Sequence, residues 1–143
     1  MSAVVDANLV AALVLPLPFS DQAAERIASW KHSGERLFAP TLMEYELDSV
    51  LRKAVALRLM TTAQAREALR QLDVLGIQSC PPTLALRERA LHWAESLGQT
   101  KAYDAHYLAL AEEMRVELWT ADRRLAQASR QIGLDWVRWL GEG

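Results

Sequence analysis

The chain has 143 residues, of which 51% are hydrophobic and 24% charged, and its formal net charge is -2. That length fits one domain of the usual ~100–150 residues, and the mild acidity excludes a global basic field, so a nucleic-acid partner would need a local basic patch. One cysteine, Cys80, excludes an intrachain disulfide and any zinc site of several cysteines, and a reducing cytoplasm is the simplest compartment for it.

The opening, Met1-Ser2-Ala3-Val4-Val5-Asp6, has no basic region ahead of an apolar core and does not read as a signal peptide. Its apolar run predicts a strand over Ser2–Val5, closed by Asp6, and a helix over Asn8–Val14. The longest apolar stretch, Leu9 to Leu17, is too short to span a bilayer and contains Pro16. A helix is expected over Asp21–His32, a turn at Gly34 and a strand over Arg36–Ala39. The next helix, Thr41–Leu57, carries an apolar stripe of Met43, Leu47, Val50, Leu51 and Ala54. A further helix covers Thr62–Leu75, where Thr62 begins a T-x-x-A stretch rather than a full capping box. Then follow a strand over Gly76–Ser79, a helix over Pro82–Leu97, and a helix over Ala102–Met114 with the stripe Tyr103, Tyr107, Leu110 and Met114. The chain closes with a strand over Glu117–Thr120, a helix over Arg123–Gln131 and a strand over Asp135–Arg138, with Trp136 and Trp139 read as packing residues. No linker or repeat interrupts the order. Strands alternating with helices imply crossovers and an α/β domain with a mostly parallel central sheet covered on both faces. Ligands of such sheets bind outside the carboxyl ends of the strands.

Four acids stand in unusual contexts. Asp6 and Asp122 directly follow apolar strands. Asp104 opens a helix, on the edge of its apolar face. Glu46 and Glu44 flank the stripe of their helix on opposite sides, and periodicity does not choose between them, while Asp48 reads as an ion pair with Arg52. Singly, each acid has an ordinary structural reading: a cap, a first-turn acid favoured by the helix dipole, or a solvated helix residue. Together they point to one sheet edge. Two carboxylates ~4 Å apart repel by roughly 4 kcal/mol at an effective dielectric of 20, so a cluster calls for a hard divalent cation. Mg2+ or Mn2+ there would serve phosphodiester hydrolysis.

Other signals are weaker. His32, His92 and His106 have no ligand spacing and read as surface residues. Cys80 reads as core rather than nucleophile. No nucleophile elbow or phosphate-cradling glycine loop is present. Lys101, Arg123 and Arg124 are the cations nearest in sequence to Asp104 and Asp122 and are candidates for phosphate contact.

The segments VVDANLV, FAPTLMEYELDSVLRK, AYDAHYLALAEE and LWTADRRLAQA, in this order and separation, resemble the PIN-domain family, and within it the VapC-like ribonuclease toxins of toxin–antitoxin modules. The resemblance covers almost the whole chain. Counting six positions from Pro40, it selects Glu46 over Glu44. Ser49 departs from the asparagine that the family often has. The resemblance implies a three-layer α/β/α sandwich and a Mg2+- or Mn2+-dependent endoribonuclease acting on single-stranded RNA. It implies Asp6, Glu46, Asp104 and Asp122 as catalytic and metal-binding acids, with Asn8 and Thr120 supporting them. It also implies a homodimer and a small cognate antitoxin protein. A groove near Asp21–His32 and Thr62–Leu75 is the expected seat of an amphipathic antitoxin segment. Three rival readings stay open: a phosphatase or phospho-acceptor domain using Asp6 as nucleophile, an RNA-processing nuclease outside a toxin module, and a module holding a cation without turnover. The first is opposed by the lack of a second acid within two positions of Asp6 and of a lysine after a late strand.

Overall fold

The structure, a computed structural model, describes residues 1–142. The strands are β1 (Ser2–Val5), β2 (Arg36–Pro40), β3 (Gln78–Cys80), β4 (Glu117–Thr120) and β5 (Val137–Trp139). The helices are α1 (Ala7–Ala11), α2 (Ser20–His32), α3 (Leu42–Ala56), α4 (Thr62–Val74), α5 (Leu84–Ser96), α6 (Tyr103–Met114) and α7 (Arg123–Gln131), and a 3-10 turn spans Leu140–Glu142. The strands form one sheet in the order β3-β2-β1-β4-β5, and every pairing is parallel. This is the α/β architecture expected from the alternation of elements.

The sheet's centre explains the unbroken apolar runs. Ala3, Val4 and Val5 of β1 and Leu118 and Trp119 of β4 are all buried, because a parallel strand is covered on both faces. Right-handed crossovers place the helices. The chain moves from β1 to β2 to β3 in one direction and from β3 to β4 to β5 in the other, so α1–α4 belong to one face and α5–α7 to the other. The packing agrees: α1 touches α2 and α3, α3 touches α4, and α5 lies along α6, which rests on β1, β2 and β4. Being wedged between α5 and the sheet, α6 is buried almost all round, at Ala105, Tyr107, Leu108, Ala109, Leu110 and Ala111. The narrow stripe expected for this helix therefore understates its burial, and it misplaces Tyr103, which is 55% exposed at the helix start.

The edges are where boundaries moved. β3 runs Gln78–Cys80 rather than Gly76–Ser79, and β5 Val137–Trp139 rather than Asp135–Arg138. Short edge strands carry little apolar pattern to read. The first helix stops at Ala11, short of Val14. The cap of α4 is Thr61, not Thr62: its hydroxyl accepts from the Gln64 N–H at 3.1 Å, and the Gln64 side chain accepts from the Thr61 N–H at 2.8 Å. That is a full capping box, one residue ahead of the expected position.

Candidate functional site

The order β3-β2-β1-β4-β5 reverses direction between β1 and β4, so a crevice opens outside the carboxyl ends of these two strands. Asp6 is the first residue after β1 and the N-cap of α1. It is buried, one carboxylate oxygen accepting from the Leu9 N–H at 3.0 Å and the other from the Thr120 hydroxyl. Asp122 lies two residues beyond β4 and caps α7, accepting from the N–H groups of Arg124 at 2.9 Å and Leu125 at 3.3 Å. Thr120, fully buried, links the two acids. Its hydroxyl donates to Asp6 and accepts from the Asp122 N–H at 2.9 Å.

The other two acids come from helices that flank the crevice. Glu46, in the second turn of α3, accepts from the Tyr107 phenol at 2.7 Å. Glu44, which periodicity did not separate from it, faces elsewhere and lines the groove between α3 and α4. Asp104, in the first turn of α6, accepts from the Gln99 side-chain amide at 3.2 Å. Tyr107 and Gln99 are the residues that sequence reasoning missed as site residues. A buried tyrosine seeks a partner for its hydroxyl, so the Tyr107 position was a usable signal. Nothing local marked Gln99.

Asp6, Glu46 and Asp104 share one electrostatic fate. Burial pushes Asp6 up to about 7 against the lowering pull of Thr120 and Leu9, and the charges of Asp104 and Asp122 add to the rise. Burial likewise raises Glu46 and Asp104, with Asp104 acting on Glu46 and Asp122 acting on Asp104. None of the four acids takes part in an ion pair among the described residues. An all-carboxylate donor set without a cationic partner fits a hard divalent cation in its chemistry. Its present geometry is different: among the described residues, no group of three or more His, Cys, Asp or Glu side chains is arranged to hold an ion. Each carboxylate is turned to its own donor, as mutually repelling charges favour.

The supporting candidates divide. Asn8 is exposed on α1 and makes no side-chain hydrogen bond among the described residues. Lys101 is exposed and lines a recess together with Glu46 and Asp104. Arg123 lies over the Trp139 ring at 5.1 Å, and exposed Arg124 gives its backbone N–H to Asp122. His106 is partly buried rather than a plain surface residue, and burial lowers its pKa, helped by Arg87. Burial also raises the Cys80 thiol, which suits a packing residue.

The groove expected near α2 and α4 lies elsewhere. α2 packs on α1 and the 3-10 turn. The groove, about 490 Å3, runs between α3 and α4, with Met43, Leu47, Leu69, Leu72 and Ile77 along it. No helix among the described residues is long and apolar enough to cross a membrane.

The PIN domain model matches residues 3–131. The chain is 35% identical over 127 residues to VapC ribonuclease Mb0985 of Mycobacterium bovis, covering 89% of this chain and 91% of that one. Among solved structures it is similar to PAE2754 from Pyrobaculum aerophilum, with a TM-score of 0.71 at 23% identity over 99% of this chain and 85% of the other. It is also similar to a chain of a toxin–antitoxin complex from Klebsiella pneumoniae, with a TM-score of 0.65 at 20% identity over 95% of both chains.

Proposed function

The chain belongs to the PIN-domain family, and from that premise we propose that it is a divalent-metal-dependent endoribonuclease that cleaves single-stranded RNA, as the toxin of a toxin–antitoxin pair in the cytoplasm. The observation that carries the reading is Asp6. It is a buried acid at the sheet's switch point, its ionisation opposed first by burial and then by Asp104 and Asp122. A site of this kind costs folding energy and is kept for chemistry. The similarity to a relative named as a VapC ribonuclease supports RNA as the substrate.

Asp6, Glu46, Asp104 and Asp122 would hold the Mg2+ or Mn2+. The bound ion would supply charge neutralisation and an activated water for phosphodiester hydrolysis. The chain's own residues then position the acids: Thr120 holds Asp6 and the Asp122 backbone, Tyr107 holds Glu46, and Gln99 holds Asp104. Arg123 and Arg124, which follow Asp122 at the start of α7, are assigned the substrate phosphate in this reading. Replacing both with alanine should weaken RNA binding and flatten its salt dependence by up to ~2 in slope.

Two protein partners belong to the same reading. The α3–α4 groove has an apolar floor, and Glu44, Asp48 and Asp73 outnumber Arg70 around it. It suits an amphipathic antitoxin segment with basic flanks. On α5, Leu84 and Leu91 are 70% and 67% exposed and lie seven residues apart on one helix face, a patch suited to a second copy of the chain. Light scattering at micromolar concentration reads that assembly.

The decisive experiment is cleavage of a labelled single-stranded RNA with a chelator present and after Mg2+ or Mn2+ is restored. Activity should vanish and return. Asp104→Asn should keep its circular dichroism spectrum and lose roughly 100-fold or more in rate. Cleavage that survives both the chelator and Asp104→Asn would refute the reading.

A further inference from the structure

At Glu46 and Asp104 opens a recess of about 470 Å3, and its residues Thr100, Lys101 and Tyr103 have no part in the positioning roles above. Glu46 and Asp104 line it together with Gly98, Gln99, Thr100, Lys101 and Tyr103. We propose that this recess is a subsite for one unpaired nucleotide of the RNA strand next to the scissile phosphate, its base stacked on Tyr103 and its phosphate held by Lys101. The inference rests on the nuclease reading above and names where the substrate lies beyond the acids.

Three observations carry it. The first is the aromatic. Tyr103 is 55% exposed although it begins the most buried helix of the chain. An exposed ring beside an acid centre offers a face on which any base can stack. The second is charge. Lys101 joins no ion pair among the described residues. It is the only cation in a wall that otherwise holds two carboxylates, so an anionic strand entering there has one place to put a phosphate. The third is rigidity. α5 ends in a Schellman motif: Gly98, at φ +67°, donates its N–H to the Glu95 carbonyl at 3.0 Å, and the Gln99 N–H reaches the Ala94 carbonyl at 2.9 Å. The Gln99 side chain is then tied to Asp104 at 3.2 Å. The start of the loop, Gly98 and Gln99, is thus anchored to α5 and, through the Gln99 side chain, to the acid itself. A preformed wall loses little entropy when a ligand enters.

The test uses the full chain and a 5′-labelled oligouridylate 12-mer. Binding is followed by fluorescence anisotropy with chelator present, and cleavage separately with Mg2+. Tyr103→Ala should weaken binding by roughly 5- to 150-fold, the range that loss of one base–aromatic stack spans, while Tyr103→Phe stays within about twofold because the ring is kept. The salt slope should not change in Tyr103→Ala and should fall by about one in Lys101→Gln. Circular dichroism checks that each variant folds. If the parent cuts the 12-mer but does not bind it without metal, or if Tyr103→Ala binds as the parent does, the subsite is wrong and the nuclease reading stands. A parent that neither binds nor cuts overturns both. A Tyr103→Ala protein that shifts from dimer to monomer in light scattering assigns this ring to a second copy of the chain and overturns the subsite.

Discussion

The two ends of the sheet treat acids in opposite ways. At the amino-terminal end, Glu112 receives a two-pronged grip from Arg89, both contacts at 2.9 Å, and a third bond from the Trp93 indole at 3.2 Å. The Arg89 guanidinium also lies over the Trp93 ring. The Arg89 bond holds the Glu112 carboxyl below its ordinary range. Near the same end, Glu117 takes Arg138 at 2.8 Å. At the carboxyl-terminal end, Asp6, Glu46 and Asp104 have only neutral donors among the described residues, and all three carboxyls are pushed up. The arginines that pair with acids lie away from Asp6, Glu46 and Asp104, and Arg123 and Arg124 beside Asp122 form no ion pair among the described residues. Acids that are matched hold elements together, whereas the unmatched acids are the ones to which the proposed function assigns a cation from outside.

This contrast can be sharpened first through pH. In metal-free protein the folded state keeps the Asp6 proton up to about pH 7, while the unfolded chain loses it near 3.8. Stability should therefore fall as pH rises between those values, by a few kcal/mol at most, and then level off. Glu46 and Asp104 push in the same direction. Glu112, shifted the other way, loses its smaller contribution only as pH falls below the ordinary carboxylate range. Thermal melts with and without Mg2+ should show a larger gain from the ion at pH 8 than at pH 5. An equal gain at both would place the ion away from Asp6.

A smaller effect is expected from Tyr107→Phe. The phenol is the single donor to Glu46, and a hydrogen bond to a charged group is worth about 1.5–3 kcal/mol. Cleavage should drop roughly 10- to 100-fold, with the melting temperature lowered by only several degrees because the ring still fills its place in the core. A variant that cleaves at the parental rate would show that Glu46 needs no orienting. The smallest effect belongs to the other end. Arg89→Ala removes a partly exposed surface pair, so stability should change by about 1 kcal/mol or less, and cleavage should not change. Loss of cleavage in Arg89→Ala would erase the distinction between the two ends.

What was readable in the residues follows the same division. β1 and β4 match the expected Ser2–Val5 and Glu117–Thr120 at both ends, because strands buried on both faces write their limits as unbroken apolar runs. The placement of Asp6 and Asp122 just beyond those runs follows directly. β3 and β5 shifted because edge strands such as Gln78-Ser79-Cys80 carry no such run. The choice between Glu44 and Glu46 is invisible to helical periodicity, since it depends on Tyr107, 61 positions away in sequence. Tyr103 was taken for core because it shares the spacing of Tyr107. Its exposure at the first turn of α6 is a tertiary fact that helical spacing does not carry. The α3–α4 groove was placed on the wrong helix pair for the same kind of reason: which helices become neighbours depends on sheet order, and sheet order was not written in any local pattern.

The Thr120 hydroxyl has one further consequence. It joins residues that are 114 positions apart, and the Asp6 backbone N–H is likewise held by the Trp119 carbonyl at 3.1 Å. Synthesis proceeds from the N-terminus, so Asp6 leaves the ribosome first and waits for β4, almost the last strand to emerge. Truncated products that end before Thr120 carry three of the four acids but lack the strand that holds the first of them in place. A chain cut short before β4 therefore lacks both of the long-range bonds that hold Asp6.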